Sequence, residues 1–256
     1  MFAKRLLTGL ALLLLFASSV GSLASSANAT EQAWINLDCD AALHAWQGDG
    51  SAWTLAGDAI QNPKQASGLI AMPGTGVLVS LEKEKTPLSN LTSSSQFGDL
   101  EAHVEFLIPA GSNGGVKFQG LYEIQIRDTY GKEKPSADDC GGIYPRAELK
   151  PRYHLIDEGF PPRTNAALPA GQWQTLDVVF QAPRFAANAK KIKNARFIRV
   201  VLNDQVIHEN VELKWPTGHA WRTKAEVARG PLYLQGDHGP IAYRNVRVRP
   251  RGGDAK

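Results

Sequence analysis

The sequence predicts an all-β domain of two packed antiparallel sheets. Three observations point there. Short runs of alternating or β-branched residues recur along the chain, Gly, Pro, Asn and Asp punctuate them, and helical periodicity is nearly absent apart from one short turn near Asp40 to Ala45.

The first element is not part of that domain. Lys4 and Arg5 precede an apolar run from Leu6 to Phe16 and small residues ending in Ala27-Asn28-Ala29, the layout of a secretory signal peptide cleaved after Ala29. The run is too short to span a bilayer and no second one follows, so the expectation is a soluble mature domain over residues 30–256, periplasmic or secreted, as a single unit. Lys4 and Arg5 leave with the signal, which lowers the formal charge of +3 by two. A near-neutral chain without a basic cluster argues against nucleic acid or anionic membrane as a partner. Cys39 and Cys140 leave the cytosol together, and both a disulfide between them and two separate buried thiols stay open.

Candidate strands follow in order: Trp53 to Leu55, Ala59 to Gln61, Gly76 to Ser80, Asp99 to Ile108, Gly115 to Gln119, Tyr122 to Asp128, Trp173 to Gln181, Phe197 to Leu202, Gln205 to Glu209, Gly230 to Gln235 and Ile241 to Arg249. Ser93 to Ser95 reads as loop, and Asn203-Asp204 as a tight hairpin turn. The long connection from Thr129 to Gly171, rich in Pro and Gly, is of the kind that is commonly functional.

Tyr122 to Asp128 is the most informative run. Alternation sends Tyr122, Ile124 and Ile126 to one face and Glu123, Gln125 and Arg127 to the other, a carboxylate, an amide and a guanidinium in register. Such a set suits the hydroxyls of a sugar, and an ordinary solvated face is the plain alternative. A three-residue loop, Gln119 to Leu121, would set Phe118 opposite Tyr122 and Lys117 opposite Glu123, with Gln119 facing out beside Lys117. Glu101, His103 and Glu105 share the polar side of the run from Asp99 to Ile108.

These residues carry a resemblance. Ser112-Asn-Gly-Gly-Val116, Tyr122-Glu-Ile-Gln125, Cys140-Gly-Gly-Ile-Tyr144, Pro169-Ala-Gly-Gln-Trp173 and Gly230 to Gly239 with Tyr243-Arg-Asn-Val246 occur in the order seen in the 3-keto-disaccharide hydrolase domain family, which the chain resembles from about Leu37 to Arg249. The resemblance implies a concanavalin/laminin-G-like jelly-roll sandwich acting on glycosides, including those oxidised to a ketone at sugar carbon 3. The opening Leu37-Asp-Cys-Asp-Ala41 departs from the family's usual phrase.

Two carboxylates flanking a glycosidic bond sit about 5 to 9.5 Å apart. Residues four apart on a strand are roughly 13 Å apart, so any partner of Glu123 must come from another strand or loop, Glu105 and His103 among the candidates. A ketone at carbon 3 would instead call for a base and an enolate stabiliser. Glu123 and His238 are the candidate bases, with Glu105 as the further catalytic candidate, and Lys117 and Arg127 are the candidate stabilisers. Gln119, Gln125 and Gln235 are candidate hydroxyl-binding amides, and Tyr144, Tyr153 and Trp221 candidate stacking platforms. No cofactor is expected; the alternative is a divalent cation such as calcium on Asp128, Asp138, Asp139 and Asp237, whose spacing fits no defined loop. Esterase, zinc-protease and thiol-enzyme signatures are absent. The expected partner is a carbohydrate or glycoside, as substrate of an enzyme or, alternatively, as ligand of a non-catalytic carbohydrate-binding module.

Overall fold

A computed structural model describes residues 32–37, 43–81 and 86–252. The signal segment, the start of the expected turn near Asp40 and Cys39 lie outside the described residues. The strands are, in chain order, β1 (Ile35–Asn36), β2 (Trp46–Gln47), β3 (Trp53–Gln61), β4 (Leu69–Ser80), β5 (Leu91–Phe97), β6 (Leu100–Leu107), β7 (Asn113–Phe118), β8 (Tyr122–Arg127), β9 (Ala147–Glu148), β10 (His154–Leu155), β11 (Gln174–Gln181), β12 (Arg184–Phe185), β13 (Lys191–Lys193), β14 (Ala195–Leu202), β15 (Gln205–Leu213), β16 (Gly230–Gln235) and β17 (Ile241–Pro250). Only a three-residue 3₁₀ turn, Gly50–Ala52, and a four-residue helix, Ala220–Thr223, interrupt them among the described residues, and no described helix is long and apolar enough to cross a membrane.

Two antiparallel sheets pack face to face. The larger runs β15-β14-β11-β6-β17-β4-β3, with β1 also paired to β17; the smaller runs β2-β5-β16-β7-β8. Alternation places the core: Leu100, Ala102, Val104 and Phe106 of β6 face inward, and so do Val116, Phe118, Tyr122, Ile124 and Ile126 of the β7–β8 hairpin. Phe118, Phe180, Phe197 and Tyr122 meet at ring separations of 5.3 to 5.6 Å, locking the small sheet onto the large one. The Tyr243 hydroxyl, fully buried, donates to the carbonyl of Gln235 at 2.9 Å, so even the polar tip in this core is paired.

The expected hairpin register holds, with Lys117 opposite Glu123 and Phe118 opposite Tyr122. The turn achieves it by placing Gln119 and Gly120 at φ of 56° and 65°. Asn203-Asp204 closes its hairpin with φ of 49° and 64°, as the turn chemistry requires. One expectation fails. Ser93 to Ser95 is not loop but the middle of β5, at the outer side of β16. Trp173 is only half-buried: its Nε1 donates to Asp58 and its ring carries the Arg244 guanidinium at 4.0 Å, outside the main core.

Candidate active site

β8 is the last paired strand of the small sheet, yet its outer edge is not open to water. The segment after Asp139 runs along it: Gly141 N–H donates to Gln125 O, Gln125 N–H to Gly142 O and Tyr144 N–H to Glu123 O. Gly142 is required there, because a Cβ would lie 2.3 Å from the Ala137 carbonyl oxygen. Another donor of that edge, Glu123 N–H, is taken by Thr217 Oγ1, which itself donates to Leu121 O. Covered in this way, the polar face of the strand is not the solvated surface that alternation alone predicts. Glu123 is 4% exposed and Gln125 3%.

Across the sheet, Glu123, Lys117 and Tyr233 form one row and Gln125, Gly115 and Gln235 the next. Lys117 Nζ lies 2.9 Å from Glu123 Oε2 and 5.3 Å from the Tyr233 ring centre. Gly115 clears the space for the carboxylate: a Cβ there would stand 2.6 Å from Glu123 Oε1 and 3.2 Å from Gln235 Oε1. The Gln125 Oε1 atom is buried without a hydrogen-bond partner, an acceptor waiting for a donor.

The turn after β16 brings in His238. Its Nδ1 meets Asp237 Oδ1 at 2.5 Å, while Asn90 Nδ2 donates to Asp237 Oδ2 at 2.7 Å and Asn90 Oδ1 accepts from Gly236 N–H at 2.9 Å. Gln235 Nε2 also lies 3.1 Å from Nδ1, but the closer partner is a carboxylate that can only accept, so a proton on Nδ1 serves Asp237 and Nε2 is left to exchange one. The Asp237 hydrogen bond, against the opposing effect of burial, raises the His238 pKa from its ordinary value. Burial opposes ionisation of Asp237, but the bonds from His238 and Asn90 outweigh it and hold that carboxyl at about 2.

These groups line one cleft of about 520 Å³: Glu123, Gln125 and Gln235 are buried in it, His238 is exposed at it, and Lys117, Tyr144, Tyr153, Leu149, His219 and Lys224 also line it. Of the sequence-predicted site residues, the structure thus gathers Glu123, His238, Lys117, Gln125, Tyr144, Tyr153 and Gln235, and separates four. Glu105 is on β6 of the other sheet, where Arg244 Nε and Asn245 Nδ2 donate to its two oxygens at 2.6 and 2.5 Å. Gln119 leaves the alternation at its positive φ and sends its amide to Ala228 O. Arg127 is exposed and paired with Asp138 at 3.0 Å, beyond the cleft lining. Trp221 is likewise outside it, its Nε1 bonded to Ala147 O and its ring under Arg146.

Three contributors escaped sequence reasoning: Asn90, Thr217 and Gly115. Only Gly115 left a signal, a glycine inside a strand run, which marks a close approach. The four aspartates weighed as calcium ligands do not converge. Asp128 accepts from Gly111 N–H, Asp138 pairs with Arg127, Asp139 with Lys132, and Asp237 with His238. Among the described residues no group of three or more His, Cys, Asp or Glu comes together to hold an ion. Cys140 is a buried thiol whose pKa burial pushes up to about 11.

Two antiparallel sheets of this order, with a polar cleft on the smaller one, define a concanavalin-like jelly-roll protein. Over residues 33–249 the chain matches the family model described as the 3-keto-alpha-glucoside-1,2-lyase-like domain, and it belongs to that family. Membership supports a glycoside-related function. The fold is similar to that of two solved structures from Parabacteroides distasonis, each described as a "putative glycosyl hydrolase". One is 23% identical, over 78% of this chain and 79% of the other, at a TM-score of 0.54. The second is 18% identical, over 86% of this chain and 100% of the other, also at 0.54. No curated protein gave a significant match.

Proposed function

We propose that this protein is an exported enzyme that cleaves glucosides already oxidised to a ketone at carbon 3, by elimination across C1 and C2. The observation that carries the reading is the make-up of the cleft. Among its lining residues Glu123 is the only carboxylate, and the titratable groups nearest it in the sheet and the following turn are the Lys117 ammonium and the His238 imidazole, with Lys224 and His219 also in the lining. Direct glycoside hydrolysis ordinarily uses two carboxylates across the bond. Elimination needs one base, one oxyanion stabiliser and one acid, and the cleft holds that set.

The 3-ketone acidifies the hydrogen on C2. Glu123 takes it as a proton, and the electron pair left behind moves into the carbonyl to give an enolate. The Lys117 ammonium, 2.9 Å from the carboxylate, stands where it can meet the developing oxyanion. The pair then returns to form a C1–C2 double bond and breaks the bond from C1 to the aglycone oxygen. His238, as imidazolium, gives that oxygen its proton. Water adding to C1, with a proton returning to C2, completes a net hydrolysis; without that step the enone is the product. Gln125 and Gln235 receive the sugar's hydroxyls.

The test is to incubate the purified protein with an α-glucoside and with its 3-keto counterpart, and to repeat the second with deuterium at C2. The reading expects release of the aglycone from the keto-sugar alone, slowed by the C2 deuterium. Equal cleavage of the unoxidised glucoside would contradict it, and tight binding of both without release would favour a binding module.

A further inference from the structure

The mouth of the cleft differs in chemistry from its floor. Leu149 and Tyr153, on either side of a tight bend, line the same cleft as Glu123, yet are 52% and 49% exposed. The Tyr153 hydroxyl donates to that of Tyr144 at 3.1 Å, so its polar tip is engaged and its ring is held at the opening. Beyond Tyr144, which also walls it, lies a second cavity of about 660 Å³, bordered by Phe160 and Trp215, 43% and 52% exposed. Single exposed apolar side chains are ordinary, but two at the mouth of the cleft, with two more in the cavity that shares its Tyr144 wall, are not.

We propose that this apolar lip is the aglycone subsite and that the protein takes glucosides whose leaving group is a flat aryl alcohol in preference to disaccharides. The proposal rests on the reading of the Glu123 cleft as the sugar site. A sugar leaving group would bring several hydroxyls against Leu149, whose side chain offers no hydrogen bond, and each hydroxyl stripped of water without a partner weakens binding. An aryl ring loses nothing there and gains the burial of its faces against Leu149 and Tyr153. The two donors at the same opening, His219 and Lys224, suit the phenolic oxygens that such rings carry.

Calorimetric binding of phenyl and methyl α-glucoside, neither of them oxidised, tests the subsite without requiring turnover. The wild-type protein is expected to bind the phenyl glucoside about tenfold more tightly. Leu149→Ala and Leu149→Asn, at an exposed position where the fold does not depend on the side chain, are expected to remove most of that preference and leave methyl glucoside binding unchanged. Equal binding of the two ligands by the wild type, or a preference that survives both substitutions, would overturn the proposal. Turnover of the 3-keto forms separates the two readings. If the keto-sugars react and aryl and methyl aglycones bind alike, the catalytic reading stands and the subsite falls. If they do not react but the Leu149-dependent preference is present, the subsite stands and the catalytic reading falls.

Discussion

The outer faces of the two sheets are written in the same alphabet and are put to different use. On the large sheet, β6 and β17 present Glu101, His103, Glu105, Arg244, Arg247 and Arg249; on the small one, β7, β8 and β16 present Lys117, Glu123, Gln125, Tyr233 and Gln235. Glu105 has both oxygens engaged, by Arg244 and Asn245, with His103 Nε2 3.7 Å away. Burial works against its ionisation, yet those bonds hold its pKa below the ordinary carboxylate value. Glu123 has a single cation on one oxygen, while the other lies over Gly115 among acceptors. A carboxylate saturated by donors has no capacity left for a substrate proton, and one with an uncommitted oxygen in a covered cleft does. What separates them is not residue type but what lies over the face: the back sheet meets solvent, and the front sheet is roofed by the segment from Cys140 to Tyr153.

Three substitutions sharpen that contrast. Gly115→Ala has the largest expected effect on turnover, about 10²-fold or more, because the atom in the way is the end of the Glu123 side chain and the carboxylate must swing aside. Thermal unfolding should move little, since no backbone is struck; a large loss of stability with unchanged turnover would be the opposite outcome.

His208 joins the back sheet to the roof, its Nε2–H donating to Gly141 O at 2.7 Å from β15. Burial, helped by the Arg163 charge and opposed by the Gly141 bond, lowers its pKa to about 4. The unfolded chain therefore takes up a proton near pH 6.5 that the folded one accepts only near 4, so this contribution to stability is complete above that window and is lost as pH falls through it. Urea unfolding should show about 2 kcal/mol less stability at pH 4.5 than at pH 7 from this group. His208→Gln should show correspondingly less acid sensitivity.

Asp237→Asn has the smallest of the three effects, about tenfold in turnover. It removes the bond that raises the His238 pKa, so the alkaline limb of the rate profile should move to lower pH. A loss of rate with an unmoved limb would make Asp237 a purely structural partner.

Much of this was legible beforehand, and the limits are physical. The three-residue loop followed from keeping Phe118 and Tyr122 on one side, a constraint internal to the hairpin. The error at Glu105 arose because alternation gives the face of a strand but not the sheet to which the strand belongs; β6 and β8 lie only one hairpin apart in sequence and end in different sheets. Ser93 to Ser95 escaped because small polar residues carry no strand signal, although pairing with β2 and β16 holds them extended. Asn90 and Thr217 act across 147 and 94 residues of sequence, respectively, and nothing local marks them.

The central claim is that Glu123, not Glu105, belongs to the working site. The direct measurement is turnover of a 3-keto-α-glucoside by Glu123→Gln and Glu105→Gln, with sugar binding measured alongside. Loss of turnover by about 10³-fold or more with binding retained in the first, and a rate within about twofold of wild type in the second, is the predicted result. Unchanged turnover in Glu123→Gln, or a comparable loss in Glu105→Gln, would contradict it.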